Sequence, residues 1–469
     1  MTPATPPAGP LADVGAVLPV LGSTGSGARA LELLVGHQRG RRLLVLRALL
    51  DAVRTAPAGA LPEGTAERVL GDWRLLERAE RADPAAARRV VHYPLTGAWA
   101  ERSLRSLALA GGAPRAARAL PHLGALAASA AARAGLRFTA EVPVRDGLLT
   151  LPTLGGYRTP KPSGTLRVDG DGNRLWLRPD ADQPRRAVEV RRGTDGVWRS
   201  AAPGWRPIQA LWPDEDRPGG RPVLIDDADP YREEGGEDGR SGNPYGLAAA
   251  GRLTDEDRVR WRTAWREAQP WLRLGDGNRA REVAALLDCF VPLAGAGSAQ
   301  YSATLGDAFG ALLSSTPMGG LKMAAALVHE LQHTKLLALA EVTALHTADD
   351  TARYWAPWRQ DPRPFDGVFQ GAYAHLALAG FHLDVALAAT VPAQRETAWA
   401  AHCRCRLQVE AVLPQLLGSN RLTPQGRTLV NSMATYHTRL GRHTPPEGHL
   451  ARATAYVETA RVIWRRRHL

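Results

Sequence analysis

Cysteine and long apolar runs are both scarce in this chain of 469 residues. Its cysteines are Cys289, Cys403 and Cys405, and the last two are separated by a single residue. Neither a disulfide framework nor a Cys-x-x-Cys metal knuckle can be built from them. No apolar run reaches the roughly 20 residues that a membrane-spanning helix requires, and residues 1–7 lack the basic and apolar parts of a signal peptide. We therefore expect a cytoplasmic protein that has no membrane partner.

Acidic residues are in the minority, because 59 Lys and Arg residues outnumber 47 Asp and Glu residues and give a net charge of +12. The excess is mostly arginine spread along the chain, with one cluster at residues 465–467. No zinc-finger spacing, RNA-binding aromatic motif or extended lysine tract accompanies it, so we expect no nucleic-acid partner. A basic surface would instead attract an acidic partner, and high salt would weaken that attraction.

The composition is that of an ordinary globular protein, and the length indicates more than one core. Residues 1–135 are rich in Ala, Leu and Arg with helical periodicity, which predicts a helical N-terminal region. Residues 136–228 are predicted to form a β-rich segment, and residues 229–469 a helical catalytic region. The expected fold class is therefore α+β, mainly α.

The β-rich segment is marked by short apolar runs separated by Gly, Asp and Pro, and this strand signal ends near Trp212. The predicted strands include residues 138–144, 164–168, 174–177 and 187–190. Between two of them, residues 169–173 read Asp-Gly-Asp-Gly-Asn. This segment resembles a calcium loop but lacks the bidentate Glu that such a loop needs, so we expect a hairpin turn.

After the strands comes a polar stretch at residues 229–243, which we expect to be an exposed linker, with a lid over a site as the alternative. Thr254, followed by three acidic residues, is a typical helix start. Further helices are predicted over about residues 279–290, 321–346, 367–389, 393–417 and 423–440.

The most informative stretch is His329-Glu330-Leu331-Gln332-His333, which interrupts an apolar helical run. Residues four apart share one face of a helix, so both imidazoles can point at one metal ion with Glu330 beside them. The pattern also arises by chance in alanine-rich helices, but unpartnered polar groups on a buried face are costly, which favours a metal site. Two facing histidines suit a zinc hydrolase and a non-haem iron oxygenase alike.

A third metal ligand must come from outside this motif. A metzincin would need a glycine and a histidine where this chain has Leu336 and Leu339, and Glu341 is too close on the same helix to serve as the gluzincin glutamate. The other candidates are His346, His375, His382 and His402. His375 is the best placed, since small neighbours would let its helix approach the first one closely. Core packing is the ordinary role of such a lone histidine.

Between the two histidine-bearing segments lies an aromatic loop, residues 354–364, which contains three prolines together with Arg359 and Arg363. Proline stiffens such a loop, and guanidinium groups are suited to bidentate binding of a carboxylate. Arginine is common in surface loops, so this interpretation depends on the position of the loop in the chain.

Residues 327–333, 354–364 and 367–375 together resemble the HExxH-motif family of peptide-modification proteins. Members occur near gene clusters for ribosomally made peptides, often beside radical SAM enzymes that form cyclophanes. The resemblance is most specific over residues 327–381, and the layout of helical and β-rich segments before them is similar. It implies an iron(II)- and 2-oxoglutarate-dependent peptide β-hydroxylase that uses O₂, although the family was first taken for zinc proteases.

For the metal, the resemblance implies that His329 and His333 are iron ligands and that His375 is the third. Many relatives have a histidine where this chain has Gln370, so the third ligand stays open and Gln370 is a candidate for supporting the site from behind the ligands. Three histidines would depart from the two-histidine, one-carboxylate triad usual in iron oxygenases. The implied metal region is helical and is not a cupin jelly roll.

For the co-substrate, the resemblance implies that Arg359 or Arg363 binds the carboxylate of 2-oxoglutarate. Glu330 is the catalytic candidate of the motif, and in an oxygenase it would orient the site without acting as a base. The implied partners are a ribosomally synthesised precursor peptide and a radical SAM maturase from the same cluster. Two alternatives remain open: a zinc metallopeptidase in which Glu330 activates water, and a non-catalytic peptide-binding scaffold.

Overall fold

The computed structural model describes residues 10–57, 59–109, 111–178, 187–214, 220–233, 248–295 and 300–468. The chain divides into two compact units. The helical unit joins residues 1–38, 261–287 and 317–469, and the sheet unit joins residues 39–260 and 288–316. Each unit brings together segments that are far apart in the sequence, whereas the three regions predicted above follow chain order.

Helices predominate at both ends of the chain, which gives the α+β composition expected from the sequence. In chain order they are α1 (Pro10–Gly22), α2 (Ala28–Arg54), α3 (Thr65–Ala82), α4 (Pro84–Val91), α5 (Pro94–Ala108), α6 (Ala113–Ala119), α7 (His122–Arg133), α8 (Asp255–Leu272), α9 (Asn278–Leu286), α10 (Gly320–Val342), α11 (Phe365–Ala388), α12 (Pro392–Leu417), α13 (Pro424–Leu440) and α14 (His449–His468). The predicted start of α8 is confirmed, because the Thr254 hydroxyl accepts a hydrogen bond from the Asp257 amide at 3.1 Å.

The strands fall in the middle of the chain. They are β1 (Phe138–Arg145), β2 (Leu148–Leu151), β3 (Gly155–Arg158), β4 (Gly164–Asp171), β5 (Arg174–Arg178), β6 (Val188–Arg192), β7 (Trp198–Arg199), β8 (Trp205–Pro207), β9 (Gln209–Leu211), β10 (Val223–Ile225), β11 (Cys289–Pro292), β12 (Ser302–Thr304) and β13 (Ala311–Ser314). The four strands named from the sequence correspond to β1, β4, β5 and β6.

An antiparallel sheet of eight strands, in the order β7-β6-β5-β4-β1-β2-β3-β8, lies in the sheet unit. Inward residues alternate with outward ones, as in β1, where Val142 is fully buried and its neighbour Glu141 is exposed. The predicted hairpin turn joins β4 to β5, with Asp171 paired to Arg174 and Gly172 at a φ of 61°. This positive φ explains the glycine.

A second sheet of five strands, in the order β12-β13-β11-β10-β9, lies in the same unit and is partly parallel. The prediction of a helix over residues 279–290 is wrong at its C-terminal end. The helix stops at Leu286, and Cys289–Pro292 form a strand in which every residue is buried. A strand buried on both faces has no alternating pattern, so its sequence could not be distinguished from a buried helix.

Two other sequence predictions need correction. Asp229, the first residue of the supposed exposed linker, is only 1% exposed, because its carboxylate accepts a hydrogen bond from the Tyr231 amide inside the sheet unit. Residues 234–243 of that stretch lie outside the described residues.

The C-terminal helix α14 was not predicted. Of the helices in the described residues, none is long and apolar enough to cross a membrane.

The helical unit is organised around α11, which packs against both α10 and α12. The sequence of α11 is apolar or small on nearly every face, as expected for a helix surrounded by others. The Tyr373 hydroxyl of α11 donates a hydrogen bond of 2.7 Å to the carbonyl of Leu21 in α1. This packing holds the helix of His375 against the helix of His329.

Candidate metal centre

His329 and His333 lie one turn apart on α10 and face each other. Their Nε2 atoms are 3.1 Å apart, and their ring centroids are 4.8 Å apart in an edge-on arrangement. Two nitrogen ligands that each lie about 2.1 Å from one ion are themselves separated by about 3.0–3.4 Å. The two imidazoles therefore already have the spacing of two ligands of a single metal.

Gln370 of α11 orients the ring of His333. The Nδ1 atom of His333 lies 3.3 Å from the amide oxygen of Gln370. That oxygen only accepts hydrogen bonds, so Nδ1 carries the proton and Nε2 keeps its lone pair. Metal-binding histidines are commonly oriented in this way by an oxygen behind the ring. Gln370 thus lies behind the ring of His333, and its role in supporting a metal site stays a prediction.

His375 lies one turn further along α11, with its ring centroid 5.6 Å from that of His329. Its Nδ1 atom lies 2.9 Å from the backbone carbonyl of Gly371. The same reasoning gives Nδ1 the proton and leaves the Nε2 lone pair available. The structure therefore brings the three histidines named from the sequence together, two of them with an oxygen behind the ring.

Trp358, from the aromatic loop, covers His375. The two rings are stacked, with centroids 4.4 Å apart and planes inclined by 18°. A side chain at Gly371 would overlap the Trp358 indole, so this close approach requires glycine. No role is predicted for either residue from the sequence. The sequence did contain two indications of this contact, namely a glycine one helical turn before a candidate ligand and an aromatic loop.

The electrostatics of the cluster favour neutral imidazoles. Burial, with a smaller effect from His333, lowers the pKa of His329 to about 3. Burial, followed by the effect of His329, likewise lowers the pKa of His375 to about 3. Neutral imidazole is the form that binds a metal ion.

The third ligand remains a prediction. Within the ranges that the structure describes, no three His, Cys, Asp or Glu side chains are arranged so that they could together hold a metal ion as they stand. His375 is near the pair, but its ring is stacked on Trp358. The donor chemistry of the three histidines nevertheless fits iron(II) or zinc, because both metals accept imidazole nitrogen.

Glu330 is 3% exposed on α10. Its backbone carbonyl accepts a hydrogen bond from the Thr334 hydroxyl at 3.2 Å. A general base must be reached by the water that it activates. The burial of Glu330 therefore fits an orienting role better than the role of a base.

Arg359 and Arg363 share one carboxylate. Arg359 donates from Nε to Oδ1 of Asp361 at 3.0 Å, and Arg363 donates from a terminal nitrogen to Oδ2 at 3.2 Å. Backbone hydrogen bonds between Tyr354 and Arg363, of 2.8 and 2.9 Å, close the base of the loop. The pair of guanidinium groups thus already holds an acid, and both arginines remain partly exposed.

A cavity of about 530 Å³ adjoins this loop. Trp358 and Arg359 form one part of its lining, and α14 supplies another part with Tyr456, Ile463 and Trp464. Trp358 therefore belongs both to the surroundings of His375 and to the cavity. The cavity combines apolar walls with a guanidinium group, as small-molecule and peptide sites often do.

A buried ion pair anchors α10 just beyond the motif. Lys335 and Glu282, which are 1% and 2% exposed, are joined by a contact of 2.8 Å. The Lys335 ammonium also donates to the Thr24 carbonyl at 2.9 Å and to the Ser26 hydroxyl at 3.2 Å. These contacts connect the helix of His333 to α9 and to the connection between α1 and α2. This pair is not predicted from the sequence.

No protein-family model matches the chain, and a search of curated proteins finds no match. The family resemblance therefore depends on the motif residues themselves. Of these, the structure brings His329, His333, His375 and Gln370 together. It places Arg359 and Arg363 around Asp361, on the loop that also supplies Trp358.

Proposed function

We propose that this protein is an iron(II)- and 2-oxoglutarate-dependent hydroxylase that modifies the β-carbon of a residue in a ribosomally synthesised peptide. The observation that carries the proposal is the cluster of three histidines, two of which have Nδ1 held by an oxygen and Nε2 left available. We further propose that the metal lies among helices and not in a cupin jelly roll.

In this proposal His329, His333 and His375 hold the metal. When bound, iron(II) with 2-oxoglutarate and O₂ supplies the oxidising chemistry that inserts oxygen into an unactivated C–H bond. Gln370 fixes the ring of His333, and the Gly371 carbonyl fixes that of His375, so that their Nε2 atoms remain ligands and not proton donors. Trp358 covers one face of the His375 ring.

Arg359 and Arg363 would bind the carboxylate of 2-oxoglutarate. Their shared contact with Asp361 supports this role, because it demonstrates that both guanidinium groups can reach one carboxylate. Asp361 would be exchanged for the co-substrate, or would position one arginine while the other binds it. The adjoining cavity, with Arg359 in its lining, offers space for a peptide segment.

A zinc metallopeptidase is the second candidate, because the spacing of His329 and His333 suits zinc equally well. In that case Glu330 would be the general base. Its exposure of 3% speaks against this role. A non-catalytic peptide-binding scaffold is the third candidate, and a metal-binding measurement separates it from the other two.

The test is anaerobic reconstitution with iron(II) and 2-oxoglutarate, followed by addition of O₂ and the precursor peptide encoded beside the gene. We expect mass spectrometry to detect a gain of one oxygen atom in the peptide and the formation of succinate. His333→Ala should lose both products, whereas His443→Ala, which changes an exposed histidine, should retain them. Peptide cleavage with zinc alone would contradict the proposal and establish the peptidase.

A further inference from the structure

The sheet unit contains a large cavity of its own, of about 720 Å³. Its lining comes from α2, α3 and α4 and from residues near Arg133 and Arg221. Ligand sites in proteins commonly have volumes of about 300–1,000 Å³ and combine apolar walls with a few polar groups. The proposed hydroxylase chemistry does not use this cavity, so it needs a separate explanation.

Arginine dominates the polar part of this lining, with six arginines against the three acids Glu77, Glu80 and Asp288. The arginines are Arg39, Arg47, Arg88, Arg89, Arg133 and Arg221. We call this cavity the arginine groove. Arg88 pairs with Glu80 at 3.1 Å, and Arg221 pairs with Asp288. The groove therefore retains an excess of positive charge after its internal pairs are formed.

Arg39 and Arg89 are the clearest sources of that excess. Both are exposed, and neither takes part in an ion pair within the described residues. The charge of Arg39 acts on the same lining, since burial and then the charges of Arg42, Arg39 and Arg88 lower the pKa of His92 to about 4. An anion that enters the groove would therefore meet guanidinium groups that are not already paired with a carboxylate of the described residues.

The spacing of the charges on α2 indicates the kind of anion. Arg39, Leu43 and Arg47 follow one another at intervals of four residues and all line the groove, so they form a stripe along one face of the helix. At a rise of 1.5 Å per residue, the two arginines are about 12 Å apart along the helix axis. Arg47 also pairs with Asp51 at 2.8 Å. An extended peptide with several acidic side chains could contact Arg39, Arg47 and Arg89 through separate carboxylates.

The groove also has an apolar component. Leu43, which is 50% exposed, separates the two arginines of the stripe, and Leu46, Trp73 and Leu76 continue the apolar lining from α2 and α3. An exposed leucine between two cations is suited to a peptide whose acidic side chains alternate with apolar ones. Apolar walls also strengthen charge pairing by excluding water.

We propose that the arginine groove binds an acidic segment of the peptide substrate that carries apolar side chains between its carboxylates. The identity of this peptide as a substrate rests on the proposed function, while the chemistry of the groove does not. Binding at a site distinct from the histidine cluster would hold the peptide while another part of it is modified, and it would raise the local concentration of the modified residue.

The test measures binding apart from catalysis. The probe is a fluorescein-labelled peptide in which Glu alternates with Leu and Ser, titrated with the full-length His333→Ala protein and followed by fluorescence anisotropy. The control peptide has Gln in place of every Glu. We expect the Glu peptide to bind at least about tenfold more tightly than the Gln peptide, because charge-assisted hydrogen bonds are lost.

The matched variants are Arg39→Gln/Arg89→Gln and Arg74→Gln/Arg81→Gln. Each removes two exposed arginines, but Arg74 and Arg81 lie on α3 outside the lining. We expect the first pair to weaken binding of the Glu peptide about tenfold or more, and the second pair to leave it nearly unchanged. Equal losses in both pairs would reveal non-specific attraction to a basic surface and would overturn the proposal.

Two further outcomes would also overturn it. Tighter binding of dodecanoate than of the Glu peptide would assign the groove to a lipid-like anion. If Leu43→Ser does not weaken binding of the Glu peptide, Leu43 makes no apolar contact with it. Failure of the proposed function is recognised separately. In that case no oxygen is inserted into any peptide, yet arginine-dependent binding of the probe persists. If oxygen is inserted and Arg39→Gln/Arg89→Gln raises neither Kd nor KM, only the groove proposal fails.

Discussion

Replacing Lys335 by methionine would test whether the buried ion pair beyond the motif holds α10 in place. The substitution removes the ammonium from the carboxylate of Glu282, which is 2% exposed and keeps a hydrogen bond of 2.7 Å from the Ser26 hydroxyl. Breaking a buried pair by removing one partner costs about 3–5 kcal/mol. We expect Lys335→Met to lower the free energy of unfolding by about that amount.

The double variant Lys335→Met/Glu282→Leu separates charge from packing. It removes the unpaired carboxylate but leaves the Thr24 carbonyl and the Ser26 hydroxyl without the ammonium. Both groups lose the ammonium in Lys335→Met as well. The double variant therefore differs from the single one mainly by lacking the unpaired carboxylate, and we expect it to be the more stable of the two. Arg353→Met, which breaks an exposed pair with Asp349 at 2.7 Å, should cost less than about 1 kcal/mol.

Urea unfolding followed by circular dichroism and tryptophan fluorescence measures these differences through the transition midpoints. Lys335→Met should also weaken metal binding, because Lys335 is two residues from His333 on the same helix. A loss below about 1 kcal/mol in Lys335→Met would refute the reasoning. A double variant no more stable than the single one would also refute the reasoning, because the loss of stability in Lys335→Met would then come from packing and not from an unpaired charge.

Three other predictions concern the centre and the sheet unit. Gly371→Ala should displace the Trp358 indole, lower the melting temperature through overpacking worth about 1–3 kcal/mol, and change the near-ultraviolet dichroism; an unchanged spectrum would contradict it. Gln370→Leu should weaken metal binding about 10–100-fold by freeing the ring of His333, and His375→Ala should weaken it more. The reverse order, measured by metal titration, would overturn the assignment of His375. Burial raises the pKa of Asp72 to about 7, an effect that Arg68 partly opposes. The folded state then binds a proton more tightly than the unfolded state, and stability is lost as the pH rises from about 4 to about 7. Asp72→Asn should therefore match the parent near pH 4 and exceed it by at most about 4 kcal/mol at pH 8; melting curves with a pH-independent difference would contradict this.

Some elements were predictable because their signals are local. The hairpin between β4 and β5 follows from a turn that needs glycine at positive φ, and Gly172 supplies it. The start of α8 follows from the hydroxyl of Thr254. The facing pair His329 and His333 follows from helical geometry alone, because residues four apart share one face.

Other elements had no local signal. Cys289–Pro292 are all buried, so the strand β11 lacks the alternation that would reveal it. On α14 the buried residues include Ala453, Val457 and Trp464, and exposed apolar residues such as Ile463 lie between them. These exposed apolar residues obscure the periodic pattern of the buried face. Which face of α14 is buried depends on the elements that pack against the helix.

The two-histidine face, the loop with Arg359 and the candidate third ligand His375 could all be recognised from the sequence. Three contacts became visible in the folded chain: Trp358 stacks on His375, Gln370 lies against His333, and Lys335 pairs with a glutamate far away in the sequence. The physical reason is that capping and periodicity are set by residues within a few positions of one another. Contacts between elements are set by how whole helices pack, and that arrangement minimises unpaired buried groups across the fold.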